Sequence, residues 1–522
     1  MDLVNGGDFM KKVLSLLLVF VLLFTLIQPV FAAEDDEHPT IYITGAQTNG
    51  LVRADGSQLY PLVDDVDAMS VIKEALEPCL KKLVKGMLTN DYKEYAEEFY
   101  NVFVPIFDDM ALDVNGEVSD GSHPEKSIYT CDIPRKTSNY NEYDYQFWYD
   151  WRISPMIAAD QLKEYIDMVL EATGESKVNI LGRCYGANVV AAYLAKYKEH
   201  AEKVVDDVAY LTSSILGIDM LTALFTGNIK LEGDAIDNFL NFFMEEKNLI
   251  EDMELNLFLV TALELFREIK TLDLTGAALE LLIKRIKTDL IPPILRDTYG
   301  SMPSYWSMVT PECYEEARDF VFSDCKDTYK KLIEKTDDFH YNVQKNAEEH
   351  MLALKEKGID FYIIVKYNFP DYPIYEGASC LGDGNTSCVR QAFGGEYADY
   401  GTVFSQEYID SLDDKTYLSP DLKINSASCL FPEYTWFIKN MYHDTFPYPI
   451  NRLALQLMNN DATVSDGRYP AVQEFVGDNL IPVEGTDEDA TVEKKNVFQM
   501  FIDFFKSLIK VLKKLFNGEI VL

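Results

Sequence analysis

The chain has 522 residues, 48% of them apolar and 25% charged. That balance suits a globular protein of about three domains and excludes a disordered chain, a collagen or a polytopic membrane protein. Asp and Glu total 86 against 47 Lys and Arg, a net charge of −39; so acidic a surface repels nucleic acid, whose binding needs cations facing phosphates.

The first segment reads as an export signal. Met10-Lys11-Lys12 is a short basic start, residues 13–27 are an unbroken run of apolar and small residues, and Ala32-Ala33 offers a cleavage point before Glu34. Residues 1–33 are therefore expected to be a signal peptide of a secreted or extracytoplasmic protein, with an uncleaved membrane anchor as the alternative. Residues 39–44 (PTIYIT) are a buried strand entering a loop at Gly45. Residues 67–87 and 92–100 carry helical patterning, and 113–145 are polar and rich in Gly, Ser, Pro and Asn, a surface excursion. Helical spacing returns at 160–170 and stops at Gly174; 177–181 (KVNIL) is a strand, 187–197 a helix and 204–211 a strand. This alternation predicts a parallel sheet covered by helices.

From 217 to 350 the composition shifts to Leu, Phe, Glu and Lys, with helical periodicity at 235–243, 257–269, 277–286 and 325–334. The β pattern resumes at 359–367 (IDFYIIVKY). A core of 34–216 and 351–482 is thus interrupted by a helical cap at 217–350, whose Leu, Phe and Met suit the roof of an apolar acyl or aromatic pocket. Residues 483–495 form an acidic linker. Residues 496–517 set Phe501, Phe504, Phe505 and Leu508 against Lys506, Lys510, Lys513 and Lys514. That is the pattern of an interfacial membrane helix, or of a helix docked on the protein's own acidic surface.

Eight cysteines in an exported chain raise the question of disulfides, and Cys380 with Cys388, close together in a Gly-rich loop, are the pair most easily joined. No Cys-x-x-Cys or His-x-x-x-His spacing occurs, so no metal and no cofactor are expected.

The most informative stretch is Gly182-Arg183-Cys184-Tyr185-Gly186, after a β run and before an Ala-rich helix. With Ser at its centre this is the nucleophile elbow. The nucleophile sits on a strained strand-to-helix turn, and Gly182 and Gly186 supply the small neighbours the turn requires. The helix N-terminus and the backbone N–H of Tyr185 face the place where an oxyanion develops.

Further segments resemble one family. Residues 147–152 (FWYDWR) with Ser154-Pro155 are similar to the Tyr-Asp-Trp-Arg segment of the lecithin:cholesterol acyltransferase-like α/β-hydrolases, which are lipases and acyltransferases. Residues 41–47 resemble their first strand and oxyanion loop, 299–308 (YGSMPSYWSM) their Pro-Ser-Trp cap segment, 381–386 (LGDGNT) their acid loop, and 433–444 (EYTWFIKNMYHD) the segment carrying their His. The resemblance runs from about residue 39 to 458 and implies an α/β-hydrolase fold with a helical cap, acting on an ester or lipid. The family's elbow has His and Ser where this chain has Arg183 and Cys184. A thiol ionises near pH ~8.5, and lower beside a cation or helix N-terminus. Cys184 reads as the nucleophile of a thioester mechanism, or else as an inert residue on a decayed elbow. In the second case the protein is a catalytically inactive α/β-hydrolase-fold protein that binds an apolar ligand or partner.

Six histidines are available as the base: His38, His123, His200, His340, His350 and His443. His38 precedes the first strand, His123 lies in the polar excursion, and His200, His340 and His350 sit in charged helical segments and read as solvated. His443 alone follows the last sheet region, where the order nucleophile, acid, His puts the base. The acid is Asp383 by the resemblance, with Asp371, nearer the strand end, as its rival. Backbone N–H groups of Ala46 or Gln47, with that of Tyr185, complete the expected oxyanion hole.

Overall fold

A computed structural model describes residues 38–61, 91–133, 145–230 and 284–485, with a few positions between 78 and 89 and at 235 and 238. The expected signal peptide, most of the 67–87 helix, most of the cap helices at 235–243 and 277–286, the cap helix at 257–269, and the expected C-terminal amphipathic helix lie outside the described residues.

The strands in chain order are β1 (Thr40–Ile43), β2 (Leu51–Val52), β3 (Gln58–Tyr60), β4 (His123–Pro124), β5 (Tyr145–Phe147), β6 (Val178–Arg183) and β7 (Val205–Leu211). They continue with β8 (Asp360–Tyr367), β9 (Gly394–Tyr397), β10 (Ile424–Cys429), β11 (Thr435–Lys439), β12 (Val472–Val476) and β13 (Asn479–Pro482). Eight of them make the central sheet, in the order β13-β12-β11-β8-β7-β6-β1-β5. Every pairing in it is parallel except the β12–β13 hairpin at one edge. Two small antiparallel sheets, β3-β2-β4 and β10-β9, lie outside it.

Parallel strands covered on both faces read as continuous apolar runs. β1 and β6 are buried along nearly their whole length, and successive side chains go to opposite faces. Ile41, Ile43 and Ile180 pack on one side, with the helices Pro155–Thr173 and Tyr185–Lys196. Tyr42, Leu181, Trp436 and Ile438 pack on the other, against Ile450, Leu453 and Leu457 of the helix Tyr448–Asn459. The first of these helices starts where Ser154 accepts the N–H of Met156 and Pro155 takes the first turn, and it ends at Gly174, φ 74°.

Between β7 and β8 the regular structure of the described chain is helical, and includes Asp219–Thr226, Ile291–Arg296, Tyr314–Phe322, Lys330–Asn342 and Ala347–Lys355. The helix expected at 325–334 begins only at Lys330, because residues 325–329 form a turn. His340 corrects another expectation: it is 1% exposed, stacked on Tyr314 at 4.0 Å, and its Nδ1 pairs with Gln344. The aromatic side chain of Tyr314 covers it, which the charged sequence around it conceals. Among the described residues, no helix is long and apolar enough to cross a membrane.

The loops after β1, β6, β8 and β11 all leave the same edge of the sheet, because these strands are parallel. The chain runs from β1 to β5 on one side and then to β6 on the other. Such a reversal opens a crevice at the carboxyl ends of the strands, and the residues singled out by sequence meet there.

Candidate active site

β6 passes into the helix Tyr185–Lys196 with no loop between them, and Cys184 at the joint takes φ 50°, ψ −125°. A non-glycine residue there is strained and is held only by its surroundings. Its N–H donates to the carbonyl of Leu211, and its own carbonyl accepts from Ala187, both at 3.0 Å. A Cβ on Gly186 would stand 2.4 Å from the carbonyl oxygen of Ile43, and one on Gly182 would stand 3.0 Å from Val190 and 3.1 Å from the backbone of Ala187. The small residues are therefore required by the close approach of β1 and of the elbow helix itself.

His443 stands in a turn after β11, and Asp383 in the loop after β8. The Nε2 of His443 lies 3.2 Å from the sulfur of Cys184, and its Nδ1 lies 2.7 Å from Oδ2 of Asp383. The backbone closes the arrangement, since the N–H of His443 donates to the carbonyl of Asp383 at 2.9 Å. The other carboxylate oxygen of Asp383 accepts the N–H groups of Asn385 and Thr386 at 3.1 and 2.8 Å. Asp383 is fully buried and His443 2% exposed. Burial alone pulls the imidazole down, but the Asp383 carboxylate and the Cys184 sulfur outweigh it and hold His443 well above its ordinary value.

Asp371 lies elsewhere. It is buried, its oxygens accept the N–H of Tyr372 and the hydroxyl of Tyr375, and burial raises its carboxyl to about 7. All eight cysteines are free thiols, so the Cys380–Cys388 disulfide does not form. Burial pushes both of these thiols upward instead.

The loop after β1 runs across the elbow. A Cβ on Gly45 would fall 3.0 Å from that of Cys184, so only glycine lets Ala46 and Gln47 come this close. Gln47 takes φ 59°, and its side chain lies near the hydroxyl of Tyr299 from the helical insertion. Tyr185 is the first residue of its helix, so its N–H has no acceptor within that helix. The segment 147–152 anchors this loop. Tyr149 donates its hydroxyl to the carbonyl of Thr44 at 2.7 Å, and the Trp151 indole donates to that of Asn49 at 3.0 Å. Arg152, fully buried, pairs with Asp150 at 2.8 Å and reaches Ser122 at 3.0 Å. Trp148 instead lies under the ammonium of Lys126 at 4.5 Å.

Two residues were missed by sequence reasoning. Lys366, near the end of β8, is fully buried and points its ammonium at the turn of His443. A single Lys inside the apolar run 359–367 was the available signal. Arg390 pairs with Asp219 at 2.9 Å and Glu312 at 2.5 Å, joining the stretch behind the acid loop to the helical insertion. Partners so distant in sequence leave no local signal. Among the described residues no group of three His, Cys, Asp or Glu is placed to hold a metal ion.

Residues 120–226, about a fifth of the chain, match the family model described as alpha/beta hydrolase fold. The match spans β4 to β7 and contains the elbow. The chain has an α/β-hydrolase fold. Its mostly parallel sheet, the flanking helices and the helical insertion between β7 and β8 are that architecture. No curated protein matches the chain. On the α/β-hydrolase fold the carboxyl-end crevice serves either a hydrolytic enzyme or a binding protein.

Proposed function

We propose that the protein is an exported carboxylic-ester hydrolase or acyltransferase with a Cys184–His443–Asp383 triad, close to the lecithin:cholesterol acyltransferase-like branch. The observation that carries this reading is the unbroken run of hydrogen bonds from the Cys184 sulfur through His443 to Asp383, set on a strained elbow. A decayed site has no reason to keep both bonds and the strain together.

In the mechanism, Nε2 of His443 takes the thiol proton as the sulfur attacks the ester carbonyl carbon. The oxyanion is held by backbone N–H groups of Tyr185 and of Ala46 or Gln47. The intermediate collapses to a thioester as the imidazolium gives its proton to the departing alcohol. Water, or an acceptor alcohol in a transferase, then attacks the thioester with His443 again as base, releasing the acid or new ester and the thiol. Asp383 stays ionised, keeps Nδ1 protonated and supports the imidazolium. The substrate is a small ester or a lipid. The amphipathic pattern of residues 496–517 would bring the enzyme to a membrane surface, and the N-terminal apolar segment supports export.

Hydrolysis of p-nitrophenyl esters from acetate to palmitate by wild type, Cys184→Ala and Cys184→Ser tests the reading. Activity lost in the Ala variant supports the thiol nucleophile, and the preferred chain length sizes the pocket. Activity only in the Ser variant would mean a preserved frame with a disabled nucleophile, and silence in all three would favour a binding protein.

A further inference from the structure

Lys366 is 0% exposed, and an ammonium is almost never buried without partners. The hydrogen bonds of its ammonium all go to one place. The Nζ donates to the carbonyl oxygens of Thr445 at 2.6 Å, His443 at 2.8 Å and Tyr442 at 3.3 Å. An ammonium has three donors, and one short turn supplies three acceptors. The next residue, Phe446, places its ring centroid 3.4 Å from the same nitrogen and 3.5 Å from the guanidinium carbon of Arg183. The β8 strand, the elbow and the His443 turn are thereby pinned to one another behind the site.

The cost of burying this charge is large, and burial presses the ammonium well below its ordinary value, with Arg183 adding to that and Asp383 opposing it. Nothing in sheet packing requires a lysine here, since neighbouring Ile364 and Val365 fill β8 with apolar side chains. The turn does require something. Between β11 and the helix Tyr448–Asn459, the residues carrying His443 have no strand or helix to fix them; the carbonyl of Tyr442 also accepts the N–H of Thr445 at 3.1 Å, but among the described residues those of His443 and Thr445 have no donor other than Lys366.

We propose that Lys366 is a positioning residue for His443: its buried ammonium, by capping the carbonyls of Tyr442, His443 and Thr445, sets the turn that presents the imidazole to Cys184 and Asp383. The inference deepens the proposed reading of the site. Its first arm stands on geometry alone, and only its second rests on Cys184 being a nucleophile.

The test uses the full chain as wild type, Lys366→Met and Lys366→Arg. The first readout is the low-field proton resonance of the His443 Nδ1–H bonded to Asp383. The second is the alkylation rate of Cys184 by iodoacetamide below pH ~8, under the free-thiol value. In Lys366→Met the resonance should vanish and alkylation should fall about tenfold or more, the scale of a displaced general base, while melting remains cooperative. Lys366→Arg, which keeps a cation and its donors, should retain both signals. A resonance unchanged in Lys366→Met overturns the proposal, as does its equal loss in Lys366→Arg. If Lys366→Met does not fold, Lys366→Gln replaces it, with its neutral amide in the same space; loss of the resonance supports the ammonium and its persistence overturns it. If wild-type Cys184 resists alkylation below pH ~8, the nucleophile reading fails and the resonance alone decides the role of Lys366.

Discussion

At the scale of single residues, the two carboxylates once in competition make opposite predictions. Asp383 uses Oδ1 for the N–H groups of Asn385 and Thr386 and Oδ2 for His443. In Asp383→Asn the amide oxygen takes the two backbone donors, and the amide NH2 is left facing Nδ1. The imidazole must then carry its proton on Nε2, the wrong tautomer for accepting one from Cys184. Ester hydrolysis should drop about 10²- to 10⁴-fold with little loss of stability. Asp371→Asn should stay within about twofold of wild type, since general-base assistance of that size needs a carboxylate on the imidazole and Asp371 serves Tyr372 and Tyr375. Parallel assays of the two variants check this, and equal losses would sink the assignment. Gly186→Ala tests the elbow itself. Its Cβ would meet the Ile43 carbonyl oxygen at 2.4 Å, with backbone on both sides and no flexible side chain to yield. A loss of about 3 kcal/mol or more is expected in denaturant titration.

At the scale of elements, what could be read in advance divides by the range of the physics. The strands at 177–181 and 204–211 and the helix at 160–170 appear within a few residues, as Val178–Arg183, Val205–Leu211 and Pro155–Thr173, because burial on fixed faces imposes a local period. The elbow was legible for the same reason: its two glycines answer a steric need within five residues. Which of Asp383 and Asp371 stands beside His443 was not legible from strand ends. It depends on where the β8 loop returns, through the bridges of Phe369 to Gly382 and Asp383, and no local pattern records that. The β12–β13 hairpin and the ion pair of Arg390 with Asp219 were invisible for like reasons. That pair yields a prediction about elements. Arg390 holds Asp219 at the start of the helix Asp219–Thr226, and Asp219 also accepts the hydroxyl of Ser387 at 3.1 Å. Arg390→Met leaves Asp219 and Glu312 without their cation, and an uncompensated, mostly buried carboxylate costs about 2 kcal/mol or more. Limited proteolysis should cut within the helical insertion of this variant before the sheet is touched. A protease pattern identical to wild type would mean that the pair does not latch the insertion to the core.

At the scale of the whole molecule, charge and burial combine into a pH dependence. At the amino ends of β7 and β8, away from the crevice, Asp207 sits opposite Asp360 in register. Burial raises its carboxyl to about 8, with Asp206, Asp360 and Asp461 adding their repulsion. The cations nearby are committed to its neighbours, Lys177 to Asp206 and Lys355 to Asp360, and His38 also faces Asp206. Asp371, raised to about 7, and His443, raised above its ordinary value, shift the same way. In each case the folded chain binds a proton more tightly than the unfolded chain. The stabilisation is full below the unfolded value, near 4 for the carboxyls and 6.5 for the imidazole, and is lost as pH rises through the folded value. Each group weakens the fold by up to about 1.4 kcal/mol per pH unit while its folded form keeps a proton the unfolded form has released. Carboxylates held low by partners, such as Asp167 beside Lys163 and His200, act in reverse and withdraw support in acid. Melting temperature should therefore peak at mildly acidic pH and fall towards pH ~8, where every ionisation adds to a net charge already at −39. Salt screens the general repulsion within about 10 Å at 0.1 M and should recover part of the loss, leaving the local cost of charging Asp207. Asp207→Asn removes that local part, so its melting temperature should change less than that of wild type between pH ~5 and ~8. Equal slopes in the two proteins would show that Asp207 is charged in the folded state, its burial offset by the groups around it.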